Sequence, residues 1–205
     1  MRETAANVDM NALREAVNEM IEELRSTGTA PGLAIGERAP DFVLPDATGG
    51  EVSLADRLAV GSAVVSFYRG AWCPICNIEL QALQAALPQI TQLEASLLAI
   101  SPQRPDDAMS LAERHQLGFD VLSDLGQQVI GAYRLQFELP EALRKIYPML
   151  GFDLPQLTAN GTWRLPVPAT FVVDSCGIVR ARHVDPNYRE RMSVNGILAA
   201  LREIR

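Results

Sequence analysis

The chain has 205 residues, 48% of them hydrophobic and 21% charged, which is enough apolar side chain for one packed domain and excludes wholesale disorder. Lys and Arg number 18 against 25 Asp and Glu, a formal net charge of −7 that offers no footprint for a nucleic-acid backbone. No apolar run approaches the roughly 20 residues that cross a bilayer, and 3 cysteines are too few, and odd in number, for a disulfide-stapled secreted scaffold.

Charges run through the first 20 residues without a continuous apolar stretch, which argues against a secretory leader and for a cytoplasmic protein. Residues 8–26 read as an amphipathic helix: Met10, Leu13, Val17, Met20 and Leu24 recur at intervals of three and four, and Ser26-Thr27-Gly28 stops the pattern. The stripe is too short for a coiled coil, so packing against its own chain is expected, with a homodimer contact as the alternative. This helix forms an N-terminal extension, residues 1–30, to a domain spanning 31–205.

Asp41–Leu44 and Glu51–Leu54 read as short extended stretches joined at Thr48-Gly49-Gly50, a hairpin. Ala63–Tyr68 is a continuous apolar run with β-branched and aromatic members, the pattern of a strand covered on both faces. A helix is expected from Pro74 to about Leu87, a strand over Ser96–Ser101, a helix over Asp106–Gln116, a strand over Phe119–Leu122 and a short helix over Gly126–Tyr133. Ala169–Asp174 and Ile178–His183 flank the turn Ser175-Cys176-Gly177 as an antiparallel hairpin, and Val194–Ile204 closes the chain as a helix. This order predicts an α/β fold, a mixed central sheet with helices on both faces in three layers. Residues 134–166 interrupt it with a helix over Pro140–Leu150, an insertion too short to bury a core of its own.

The stretch Ser66–Leu80, SFYRGAWCPICNIEL, carries the chemistry. A buried strand ends, four residues turn, and Trp72-Cys73-Pro74-Ile75-Cys76 opens a helix with Pro74 at its first position. Cys73 then lies near the N-cap and Cys76 in the first turn, both on one side of a helix start whose free N–H groups favour an anion such as a thiolate. A second sulfur three residues away can close a disulfide with little backbone movement. A zinc site would need further ligands from His115, His183 and Cys176, which have no paired spacing, so neither metal nor organic cofactor is expected.

Residues 36–183 resemble the peroxiredoxin-like branch of the alkyl hydroperoxide reductase/thiol-specific antioxidant group, within the thioredoxin-fold superfamily. The likeness rests on GERAPDFVLPD (36–46), FYRGAWCPICNIEL (67–80), SPQ (101–103) and LPVPATFVVDSCGIVR (165–180). It implies a thioredoxin-like fold, reduction of hydroperoxides by cysteine, and electrons returned by thioredoxin or a similar dithiol protein. Peroxiredoxins carry Pro-x-x-x-Thr-x-x-Cys, whose last residue attacks the peroxide. In that register Cys76 takes the attacking place, Cys73 replaces the Thr and Arg69 the Pro. The thioredoxin register instead makes Cys73 the attacker and Cys76 the resolving thiol. The family also has an Arg three residues before the Phe of its late strand; counting back from Phe171 gives Pro168, which resembles the cis-Pro that faces the cysteines in thioredoxin-like proteins. Val167 and Pro168 would then present backbone to a substrate.

Arg69 is the sequence candidate to replace the missing guanidinium, stabilising a thiolate and polarising a peroxide; the plainer alternative is that it reaches solvent or pairs with Glu79. Trp72 would flank the site as a rigid wall or serve as core packing. Cys176 is expected to be incidental rather than a remote resolving thiol, His115 a solvated face residue, His183 without a role, and Asp174 the cap of its turn. The leading reading is a thiol peroxidase; the rivals are a dithiol–disulfide oxidoreductase acting on proteins and a non-catalytic redox sensor.

Overall fold

The computed structural model describes residues 8–204; residues 1–7 of the expected extension, with their share of the leader reading, and Arg205 lie outside the described residues. The central sheet has the order β5 (Asp120–Ser123), β4 (Ala95–Ser101), β3 (Ser62–Phe67), β8 (Ala169–Val173), β9 (Val179–Val184). Strands β3, β4 and β5 run parallel, whereas β8 runs antiparallel to both β3 and β9.

Alternation explains why β3 reads as an unbroken apolar run. Val64 points to one side, where Leu97, Ala99, Val121 and Val172 join it against α3 (Pro74–Gln92), α4 (Pro105–His115) and α8 (Val194–Glu203). Ala63, Val65 and Phe67 point to the other, against α5 (Gln128–Ala132), α2 (Leu54–Leu58) and the hairpin of β1 (Val43–Pro45) and β2 (Glu51–Ser53). Each of the Val, Leu and Phe side chains among these, removed from water, contributes about 1.5–3 kcal/mol of transfer free energy. The three-layer α/β expectation matches this architecture.

The β1–β2 turn is held by Asp46, whose carboxylate accepts from the Thr48 and Gly50 backbone N–H groups at 2.8 and 2.7 Å. Helix α1 (Met10–Thr27) starts at Asp9, whose side chain accepts from Asn11 and Ala12 N–H, and ends at Gly28 in the left-handed conformation. Its stripe (Val17, Met20, Ile21, Leu24) is spent inside its own chain, against Leu143 and Tyr147 of α6 (Glu141–Met149) and Leu154 of α7 (Leu154–Leu157). Met10, counted in the apolar stripe, is exposed.

Three further expectations need correction. Segment 134–166 is more than a helix and an irregular stretch: β6 (Gln136–Glu138) pairs antiparallel with β7 (Arg164–Pro166), and its apolar side chains share one core with α1 rather than burying one of their own. Leu54 does not end a strand but begins α2, since the Ser53 hydroxyl accepts from Asp56 N–H as an N-cap. Helix α3 continues past Pro88 to Gln92, its last turn anchored by buried Ile90.

Candidate active site

The site is built where β3 ends. Tyr68 continues the strand pairing by donating its N–H to Ile100 O at 3.0 Å, and the chain then turns sharply through Gly70, whose φ of 141° is open to glycine. A Cβ there would lie 2.5 Å from Trp72 Nε1, so glycine also lets the indole fold back over the turn. Gln103, from the loop after β4, accepts from Ala71 N–H at 2.6 Å, and Asn77 donates its side-chain amide to Ala71 O at 2.9 Å. Cys73 N–H closes the turn onto Gly70 O, and Cys73 is the N-cap of α3, with Pro74 following.

Both sulfurs are buried, Cys73 at 2% and Cys76 at 0% exposure, so exposure does not select the attacker. Charge separates them. Hydrogen bonding from the Cys76 side chain, helped by the Arg69 charge and opposed by burial, brings the Cys73 thiol down to about 6. Burial, and then the neighbouring Cys73, push Cys76 well above the ordinary thiol value. Both shifts favour the charge on Cys73 and the proton on Cys76.

Arg69 neither reaches solvent nor pairs with Glu79. It is 3% exposed, its Nη2 donates to Tyr147 Oη at 2.8 Å, and its guanidinium lies 4.7 Å from the Trp72 ring centroid and 4.5 Å from that of Tyr188. Its Nε and the Trp72 Nε1 are buried without a hydrogen-bond partner. Glu79 pairs instead with Arg191, Nε to Oε2 at 2.6 Å, and Arg191 Nη2 points at Cys76 Sγ from 3.6 Å. A pocket of about 280 Å³ is lined by Cys73 and Arg69 together with Leu13, Val17, Trp72, Tyr147, Phe152 and Tyr188.

The profile of the AhpC/TSA family matches residues 35–182. The chain belongs to that family. Among curated relatives, it is 33% identical over 97 residues to peroxiredoxin Bcp of Escherichia coli, covering 47% of this chain and 62% of that protein. It is 33% identical over 104 residues to thiol-disulfide oxidoreductase ResA of Geobacillus kaustophilus, covering 50% and 59%. The matches thus span less than two thirds of those relatives' own length. Among solved structures, peroxidoxin BcpB of Mycobacterium tuberculosis superposes with a TM-score of 0.68 over 84% of this chain and 99% of that one, at 24% identity. A reduced 2-Cys peroxiredoxin of Plasmodium vivax gives 0.65 over 83% and 81%, at 19% identity. The fold is the peroxiredoxin form of the thioredoxin fold.

Cys73, Cys76, Arg69 and Trp72 lie together at the turn from β3 into α3. Val167 lies in the apolar cluster against which Trp72 packs, and Pro168 is buried beside it; neither lines the pocket with Cys73. No peptide bond among the described residues is cis, so the Val167–Pro168 bond is trans, against the cis-Pro expectation. The chain runs extended there: β7 pairs with β6, Val167 N–H donates to Leu135 O at 2.8 Å, and Ala169 opens β8 directly. Asp174 caps its turn by accepting from Cys176 and Ile178 N–H, both at 2.9 Å, and Cys176 lies exposed at the far end of the sheet. His115 Nδ1 pairs with the Gln81 side chain at 2.8 Å.

Sequence reasoning missed Arg191, Tyr188 and Tyr147. All three come from segments remote in the chain, and the Tyr188-Arg189-Glu190-Arg191 run reads as a solvated loop until its partners are known. Among the described residues no helix is long and apolar enough to cross a membrane.

Proposed function

We propose that this protein is a thiol peroxidase that reduces hydrogen peroxide or organic hydroperoxides. The observation that carries the reading is Cys73 at a helix start, its thiol drawn toward the thiolate form, lining an apolar pocket together with the buried Arg69 guanidinium. The thiolate attacks the terminal peroxide oxygen, the O–O bond breaks, and the alkoxide or hydroxide leaves with a proton as alcohol or water. Cys73 becomes a sulfenic acid. The unpartnered Arg69 Nε and Trp72 Nε1 are donors for the peroxide oxygens, where charge develops as the bond breaks. Cys76 then condenses with the sulfenic acid, releasing water and leaving a Cys73–Cys76 disulfide. A dithiol protein of the thioredoxin kind restores both thiols and is itself oxidised. Names borne by relatives, peroxiredoxin Bcp above all, support the assignment.

A coupled assay with hydrogen peroxide, cumene hydroperoxide and a thioredoxin system tests it. Turnover well above that of free cysteine is expected; turnover no faster than free cysteine would overturn the reading. The ResA relatives and the Trp-Cys-x-x-Cys register favour a second reading, dithiol exchange with protein disulfides, in which Val167 and Pro168 would contact the substrate backbone. Insulin reduction without peroxide turnover would select it. A third outcome, a reversible disulfide without flux, would mark a sensor.

A further inference from the structure

Both guanidinium charges are felt by both sulfurs, but only Arg191 is in hydrogen-bonding contact with Cys76. Arg69 lines the same pocket as Cys73, whereas Arg191, from the loop between β9 and α8, lines a different one with Glu79 and places Nη2 3.6 Å from Cys76 Sγ. Every other part of that guanidinium is fixed: Nε donates to Glu79 Oε2 at 2.6 Å, and Nη1 donates to Tyr188 O and, at 2.9 Å, to Glu190 O. The ion pair is buried, with side-chain exposures of 12% for Arg191 and 7% for Glu79. A buried pair of this kind is a weak source of stability, because desolvation consumes much of its attraction. Its geometry instead delivers one N–H to a sulfur, and a guanidinium bonds a thiolate more strongly than a thiol.

We propose that Arg191, positioned by Glu79, is a catalytic residue for Cys76: it stabilises the Cys76 thiolate when that sulfur closes the disulfide and again when it leaves on reduction. The inference rests on the peroxidase reading for its first half and is independent of it for the second. Before peroxide arrives, burial and then the Cys73 negative charge favour keeping the proton on Cys76. Conversion of Cys73 to the neutral sulfenic acid removes that opposing charge, and Arg191 is then the cation in contact with Cys76. Cys76 sulfur attacks Cys73 sulfur, the S–O bond breaks, and the hydroxyl departs as water with the proton that Cys76 gives up. The sulfenic sulfur is reduced and Cys76 is oxidised, each to the disulfide level. On reduction, a thiolate of the dithiol donor attacks Cys73 sulfur, the S–S bond breaks, and Cys76 leaves as a thiolate against Arg191. The donor's second thiol then displaces Cys73 and closes the donor's own disulfide.

The test separates the steps in single turnover. Wild type and Arg191→Met are mixed with stoichiometric hydrogen peroxide; sulfenic acid is trapped with dimedone, and disulfide closure is followed by alkylation and mass spectrometry. In Arg191→Met, sulfenic acid should form within about threefold of the wild-type rate while closure slows about 10- to 100-fold, the worth of a hydrogen bond to a charged group. In a second arm needing no peroxide, the pair is oxidised with diamide and reduced with dithiothreitol; the variant should again be slower by a similar factor. Arg191→Lys should recover part of both rates, which a purely structural role would not give. Should Arg191→Met fail to fold, Arg191→Lys carries the test, with closure slowed and sulfenic formation retained. Wild-type rates in both arms, or a loss of sulfenic formation in step with closure, would overturn the proposal. If wild type itself forms no sulfenic acid, the peroxidase reading fails and the diamide arm alone decides the role of Arg191.

Discussion

At one end of the central sheet, Cys73 and Cys76 are buried at a helix start beside two guanidinium groups; at the other, Cys176 stands exposed in the β8–β9 turn. The exposed end has the larger cavity, about 580 Å³ against 280 Å³, and it also has an arginine. There, however, Arg38 Nη1 donates to the Cys176 backbone carbonyl at 3.0 Å, and the nearby Asp174 carboxylate is engaged with the turn's N–H groups. Access and volume are thus present at the far end without the arrangement that holds a thiolate. What distinguishes the CxxC end is its surroundings: the neighbouring Cys76 and the Arg69 charge favour a thiolate on Cys73, and Arg191 faces the second sulfur.

Substitutions can break this contrast, the largest effect first. Cys73→Ser should lower hydroperoxide turnover by at least about 10³-fold in a coupled assay, since the attacking atom is gone. Arg69→Met should cost about 10²-fold at neutral pH, the scale of losing one preorganised charged donor. Its signature lies in the pH profile. Only the thiolate attacks, so the wild-type rate of Cys73 oxidation should rise through a pH of about 6 and level off above it, and be lost as pH falls below that midpoint. Arg69→Met removes a favourable charge and should move the midpoint upward. Gly70→Ala forces a φ of 141° on an L side chain and drives a methyl into Trp72, so thermal unfolding should show a loss of about 1–3 kcal/mol. Cys176→Ser should leave turnover within about twofold of wild type, in keeping with an exposed position away from any packed feature.

The sheet and its helices were legible because their signals are local. Ala63–Tyr68 has the composition of a doubly covered strand, Pro74 marks a helix start, and Cys73 and Cys76 sit three apart across it. Strands β6 and β7 escaped because each is three residues long and owes its existence to its partner, including Pro166, which takes an edge position. The joint core of α1 with segment 134–167 escaped for a related reason: each half looks too small until the other lies against it. The site divided the same way. The cysteines, Arg69 and Trp72 share one turn and could be read together. Arg191 and Tyr188 reach the same sulfurs and guanidinium only because the loop after β9 folds across the start of α3, a closure no periodicity records.

The placement of Trp72 has a practical use. The chain holds 2 tryptophans, Trp163 in the insertion and Trp72 next to Cys73, whose indole is placed to report on the site. Closing the disulfide sets an electron-accepting S–S bond beside that ring, so fluorescence should fall on oxidation and return on reduction. A Trp163→Phe background would isolate the signal, giving a dye-free optical record of each redox cycle in real time.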